Sequence, residues 1–179
     1  IKAKRQGWIT GPTMFYSGKI IAPYGGQTNG INVENEHLWQ FEYIDADTPD
    51  EIKKAVRKNI YYGANVIKMV SGDNATYDQA DIRAAVDEAK KAGIKVTVHV
   101  MGGRGARNVI MGGAAAIEHG FDLDDDLLRL MKEKGTFLVG TDLYHENLFA
   151  YGMGEEQAKR ISNNVADRLR RAYGIGTKI

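Results

Sequence analysis

Short apolar runs alternate with longer amphipathic stretches along most of this chain, and that alternation limits the fold more than any other feature. ANVIKMV (64–70), IKVTVHV (94–100), AAAIEHG (114–120) and TFLVGT (136–141) have the length and β-branched content of strands. Between them, residues 78–91, 105–111 and 124–133 carry helical spacing. TPDEIKKAVRKNIYYGA precedes the series, with a Thr N-cap, Pro at the first helical position and acids in the first turn. Its apolar positions Ile52, Ala55, Val56 and Ile60 share one face. Glu155 to Tyr173 follows as a long helix of alternating charge, read as a solvated outer helix with i, i+4 ion pairs. PTMFYSG (12–18) reads as the first strand, and it feeds a long Gly-rich loop that ends at Tyr43. GIGTKI (174–179) begins another apolar run.

Strands joined by helices of this length need right-handed crossovers, which make a parallel sheet. An open doubly wound sheet and a (β/α)₈ barrel both satisfy this. An open sheet favours a Gly-rich phosphate loop after its first strand and uniformly apolar strands. Here polar residues recur near strand C-terminal ends: Lys68, His99, His119 and Asp142. In a barrel those ends share one face, the face that carries the chemistry. A full barrel needs about 250 residues, and this chain offers about five and a half βα units. The expected fold is therefore α/β, a partial TIM barrel forming a single unit over residues 1–179.

Composition removes several function classes. Lys and Arg number 24 against 23 Asp and Glu, which gives no basic surface for nucleic acid or anionic membrane. No apolar run is long enough to span a bilayer. The absence of cysteine removes disulfides, thiolate metal sites and a cysteine nucleophile. The chain opens at Ile1, and IKAKRQGW is no secretory leader, so the start reads as cut and the compartment stays open.

One histidine at a strand end is usually packed and hydrogen-bonded; two on adjacent strands are more informative. Neighbouring strands lie ~4.8 Å apart, so His99 and His119 can share one ion. Lys68, one strand earlier, extends the pair to an arc of three. A lysine inside VIKMV can snorkel or form a buried ion pair. Alternatively its ammonium is desolvated and its amine reactive, able to take up carbon dioxide as a bridging carbamate. GGRG (102–105) has the form of an anion cradle, in which Arg104 would grip a carboxylate; an ordinary Gly-rich turn is the preferred reading. Tyr144 and His145 either line the mouth of the site or cap their loop.

The segments GPTMFYSGKIIAPYGGQTNG, TPDEIKKAVRKNIYYGANVIKMV, DQADIRAAVDEAKKAGIKVTVHVMG, AAAIEHGFDLDDDLLRLMKEKGTFLVGT and RLRRAYGIGTKI resemble successive pieces of the amidohydrolase superfamily. They are most similar to its imidazolonepropionase-like and Xaa-Pro-dipeptidase-like members. The resemblance implies about strands 3 to 7 of the barrel plus the start of strand 8. It implies two divalent ions, zinc by preference, bridged by a CO2-derived carbamate on Lys68, with His99 and His119 as ligands. It further implies hydrolysis of an amide or peptide bond, in a dipeptide or an N-acyl amino acid, by a metal-activated water. The family's His-x-His pair has no counterpart here, since His37 and His145 stand alone. Gln27 stands where the family loop often has histidine. The general-base aspartate is expected beyond Ile179. Asp142 lies one βα unit after His119 and reads as an ordinary strand-end carboxylate. The chain alone would then be either a catalytically silent fragment or one part of a split or swapped barrel, completed by a second copy or a complementing segment.

Overall fold

A computed structural model describes residues 2–26, 32–72, 76–150 and 152–179. Gln27 and Ile1 lie outside the described residues. A short helix α1 (Lys2–Arg5) precedes strand β1 (Ile20–Ala22); helix α2 (Glu36–Glu42) then leads into β2 (Tyr43–Asp45). Helix α3 (Pro49–Tyr61) and β3 (Ile67–Val70) follow, then α4 (Gln79–Lys90), β4 (Val96–Gly102), α5 (Gly103–Gly112) and β5 (Ala116–Asp122). The last elements are α6 (Asp125–Lys134), β6 (Phe137–Val139), α7 (His145–Ala150) and α8 (Glu155–Ile175).

The strands form one sheet of order β2-β1-β3-β4-β5-β6, and every pairing is parallel. From β1 through β3 to β6 the order is sequential, as in a barrel wall, so the partial (β/α)₈ architecture holds. The helix starts are locally encoded. Thr48 and Asp78 each close a reciprocal capping box, with Glu51 and Asp81, and Asp124 caps α6.

Alternation along the strands separates two faces. Ile67, Met69, Val96, Val98, Val100, Ile117 and Leu138 point to the helices and are almost fully buried. They share one core with Ile52, Val56, Ile82, Val109, Ile110, Leu127 and Leu128. Residues of opposite parity, among them Lys68, Thr97, His99 and Glu118, lie on the other face, which a closed barrel encloses.

Three expectations need correction. Residues 12–18 form no strand. Tyr16 N–H donates to Asn65 Oδ1 at 2.6 Å, Tyr16 O accepts from Asn65 N at 2.9 Å, and Met14 O accepts from Asn65 Nδ2 at 3.0 Å. Those backbone groups are spent on one asparagine, and the chain joins the sheet only at Ile20. The segment read as a long loop contains β1, α2 and β2, with β2 set outside β1 at the sheet edge. Helix α8 is not uniformly solvated. Its Lys159–Glu155 and Arg171–Asp167 pairs are i, i+4, but Ala158, Val165, Arg168 and Ala172 form a buried stripe.

At the other end of the sheet, Leu138 N donates to Lys178 O at 2.8 Å. The residues after α8 thus reach the outer edge of β6.

Candidate metal centre

Three parallel strands deliver the site. Register pairs Lys68 with Thr97, Val70 with His99, His99 with Glu118 and Val100 with His119. Lys68, Thr97, His99 and Glu118 therefore fall on one face by simple alternation. His119 follows Glu118 directly and by the same rule should face the helices. It does not. Its backbone has φ of 69°, a left-handed value rare for a non-glycine residue, beside a register shift between β4 and β5. The His119 ring consequently meets the His99 ring edge-on, with centroids 4.6 Å apart. Gly102 makes the irregularity possible, because a Cβ there would sit 2.5 Å from the Asp122 carbonyl oxygen.

Lys68 is mostly buried, its side chain 15% exposed, and its Nζ contacts Glu118 Oε2. Thr97 Oγ1 donates to the other Glu118 oxygen at 2.8 Å. Burial pulls the Lys68 ammonium down to about 8. His119 is held below its ordinary value by burial first and by the nearby Lys68 charge second. Thr141 Oγ1 lies 2.5 Å from His119 Nδ1, and Phe121 meets the ring edge-on at 5.9 Å.

Sequence reasoning brings together Lys68, His99 and His119, and the structure does place them on one face. It did not identify Glu118, Thr97 or Thr141. An acid inside the apolar run AIEHG, two strands from a lysine inside VIKMV, was the available signal for the Glu118 pair.

The remaining candidates fall elsewhere. Arg104 lines an exposed groove of about 550 Å³ with Asp78, Gln79, Arg83 and Asn108, between the starts of α4 and α5. Tyr144 is 77% exposed, and its carbonyl accepts from Asn147 N and Leu148 N to cap α7. His145 pairs with Glu146, and His37 lies exposed on α2. Asp142 accepts from the wholly buried Arg168 at 2.6 Å, which accounts for its carboxylate.

Imidazole nitrogens are common ligands of divalent metals. His99 and His119 supply two such nitrogens side by side, with Lys68 on the next strand. Glu118 engages the Lys68 side chain. Among the described residues no cluster of three or more His, Cys, Asp or Glu side chains is placed to hold a metal ion.

The Amidohydrolase family profile matches residues 2–170. Ochratoxinase of Aspergillus niger is 30% identical over 164 residues, an alignment covering 78% of this chain and 34% of that protein. The crystal structure of a Xaa-Pro dipeptidase with methionine bound in its active site superposes with a TM-score of 0.83 at 30% identity. That superposition covers 99% of this chain and 49% of the other. The A. niger ochratoxinase structure gives 0.84 at 25% identity, over 99% of this chain and 47% of that one. The chain thus spans about a third of the curated relative and about half of each structure. With a profile match over most of its length and the histidine pair held on a parallel half-barrel, the chain belongs to the amidohydrolase family.

Proposed function

We propose that this chain is part of a metal-dependent amide hydrolase acting on a dipeptide or an N-acyl amino acid, with imidazolone or lactam rings as the neighbouring substrate classes. The observation that carries this reading is the convergence of His99 and His119 beside Lys68 on the face a barrel encloses. His99, His119 and carbamylated Lys68 would hold zinc. Bound ions would supply an acidified water and polarise the scissile carbonyl.

The chain's own residues prepare that site. Burial favours the neutral, nucleophilic amine of Lys68 that carbon dioxide requires. Glu118, fixed by Thr97, partners the lysine while it is still an ammonium. Thr141 restrains the ring of His119.

The test is zinc uptake by purified protein with and without bicarbonate, read by elemental analysis and by the carbamate signal in 13C NMR. Stoichiometric zinc that falls in His99→Ala and His119→Ala is expected. No uptake in either condition overturns the site. Turnover of a panel of dipeptides and N-acyl amino acids then assigns the substrate.

A second reading is favoured by the open face: Phe137 and Val139 are each 45% exposed where a closed barrel would cover them. In that reading the chain is a catalytically silent half, completed by a second copy or a complementing segment. Sedimentation would show association, and activity of the lone chain as a monomer would exclude it.

A further inference from the structure

Arg168 presents an energetic anomaly. It sits at 0% exposure within the buried stripe of α8, three residues from Val165 and four from Ala172. Its Nη2 donates to Asp142 Oδ1 at 2.6 Å, while Nε and Nη1 have no hydrogen-bond partner among the described residues. A buried guanidinium with one carboxylate is poor value for stability, since an apolar residue of similar volume usually serves as well or better. Its visible effect is to pin the loop after β6 through Asp142.

That loop carries the residue that touches the site. Thr141, the immediate neighbour of Asp142, places Oγ1 2.5 Å from His119 Nδ1. His119 is held in a left-handed conformation that persists only where its surroundings impose it. A metal-binding histidine needs one ring nitrogen protonated and hydrogen-bonded so that the other offers its lone pair.

We infer that Arg168 is a positioning residue for His119: it anchors Asp142, the anchored loop presents Thr141 as acceptor for His119 Nδ1–H, and Nε2 is left as the ligating nitrogen. The inference rests on the metal-site reading for the role of Nε2, but its first test needs no metal. Free imidazole prefers the proton on Nε2, so an Nδ1–H tautomer at His119 is a signature of the latch.

The experiment uses the chain labelled with 15N-histidine, metal-free at pH 8, with His119 assigned by its loss in His119→Gln. Long-range 1H–15N correlation reports which nitrogen carries the proton. The wild type is expected to show Nδ1–H. Thr141→Val, Asp142→Ala and Arg168→Met are each expected to move the proton toward Nε2, with Arg168→Lys retaining part of the wild-type signature. Circular dichroism identifies any variant that fails to fold, and Asp142→Ala, at a partly exposed position, keeps the test open if Arg168→Met does. An Nε2–H tautomer in the wild type overturns the inference. So does an unchanged Nδ1–H in folded Asp142→Ala, which would leave Thr141 acting without the latch. A second measurement, zinc affinity by chelator competition, should fall 10–100-fold (roughly) in Asp142→Ala. A wild type with the expected tautomer and no zinc binding would defeat the metal reading while leaving the latch intact.

Discussion

Replacing Glu118 with glutamine removes the carboxylate that compensates Lys68 and leaves the lysine's burial unchanged. Burial takes Lys68 of the folded chain from its ordinary 10.5 to about 8. At about 1.4 kcal/mol per pK unit that burial costs about 3 kcal/mol at pH 7, and loss of the Glu118 carboxylate adds to the cost. The sign of its pH dependence follows from proton counts. The folded chain releases the Lys68 proton near 8 and the unfolded chain only near 10.5, so between those values the unfolded state holds more protons; without the Glu118 carboxylate the folded-state value falls further. Stability of wild type and of Glu118→Gln should therefore both rise with pH through this window, and the variant should fall furthest below wild type under pH 8. That gap closes above about pH 8, where Lys68 is neutral in both folded chains, while the burial cost they share is gone only above about 10.5. The assay is urea unfolding at pH 7, 8 and 9 for wild type, Glu118→Gln, Lys68→Met and the double variant. Lys68→Met together with Glu118→Gln should be more stable than Glu118→Gln alone, because the buried charge is gone. Equal stability of wild type and Glu118→Gln at pH 7, with no pH dependence in their difference, would refute both the pairing and its role in the site.

Three other outcomes follow from the packing. Gly112→Ala would put a Cβ 2.5 Å from Ile82 Cβ and Cγ2, forcing α4 and α5 apart. The ~1–3 kcal/mol cost of overpacking should outweigh the gain in helix propensity and lower the melting temperature by a few degrees in calorimetry; a rise would contradict it. Glu88 is held at about 2 by hydrogen bonds from Arg57 and Lys91, so its contribution is present above its ordinary 4.5 and lost as pH falls toward 2. With both partners largely exposed and screened, Glu88→Gln should cost about 1 kcal/mol in urea unfolding at pH 7 and nothing measurable at pH 2. Asp78→Ala removes the side-chain cap of α4 and should cost about 1 kcal/mol by the same assay, with Asp78→Asn close to wild type.

The parts of the fold legible in the sequence were those set by local chemistry. Helix α3 was marked by Thr48 and Pro49, and the central strands by their apolar runs, because caps and alternation act over a few residues. What stayed hidden depended on distant partners. Residues 12–18 have the composition of a strand, yet Asn65, about fifty positions later, takes their hydrogen-bonding groups. Ile20–Ala22 looks too short to be a strand until β3 lies alongside it. Arg168 was readable as surface because helical charge patterns average over a face, and one buried cation in an apolar stripe is a tertiary decision.

The site shows the same division within two consecutive residues. Alternation alone would put Glu118 or His119 on the enclosed face, but not both. The left-handed turn at His119, with Gly102 letting the neighbouring strand come close, puts both there. The histidine pair could be guessed from strand-end positions, while its compatibility with an adjacent carboxylate could not, since no pattern of period two contains it. This irregularity also gives the site its internal balance. Glu118 meets the Lys68 charge from one strand away from His99, and His119 is left to Thr141, so the ammonium and the imidazole have separate partners. Were β5 regular, His119 would turn toward the helix core, and the loop held by Arg168 and Asp142 would have no ring to orient. The strained backbone and the buried guanidinium are therefore two costs of one arrangement, which is why both should register in the state of a single imidazole.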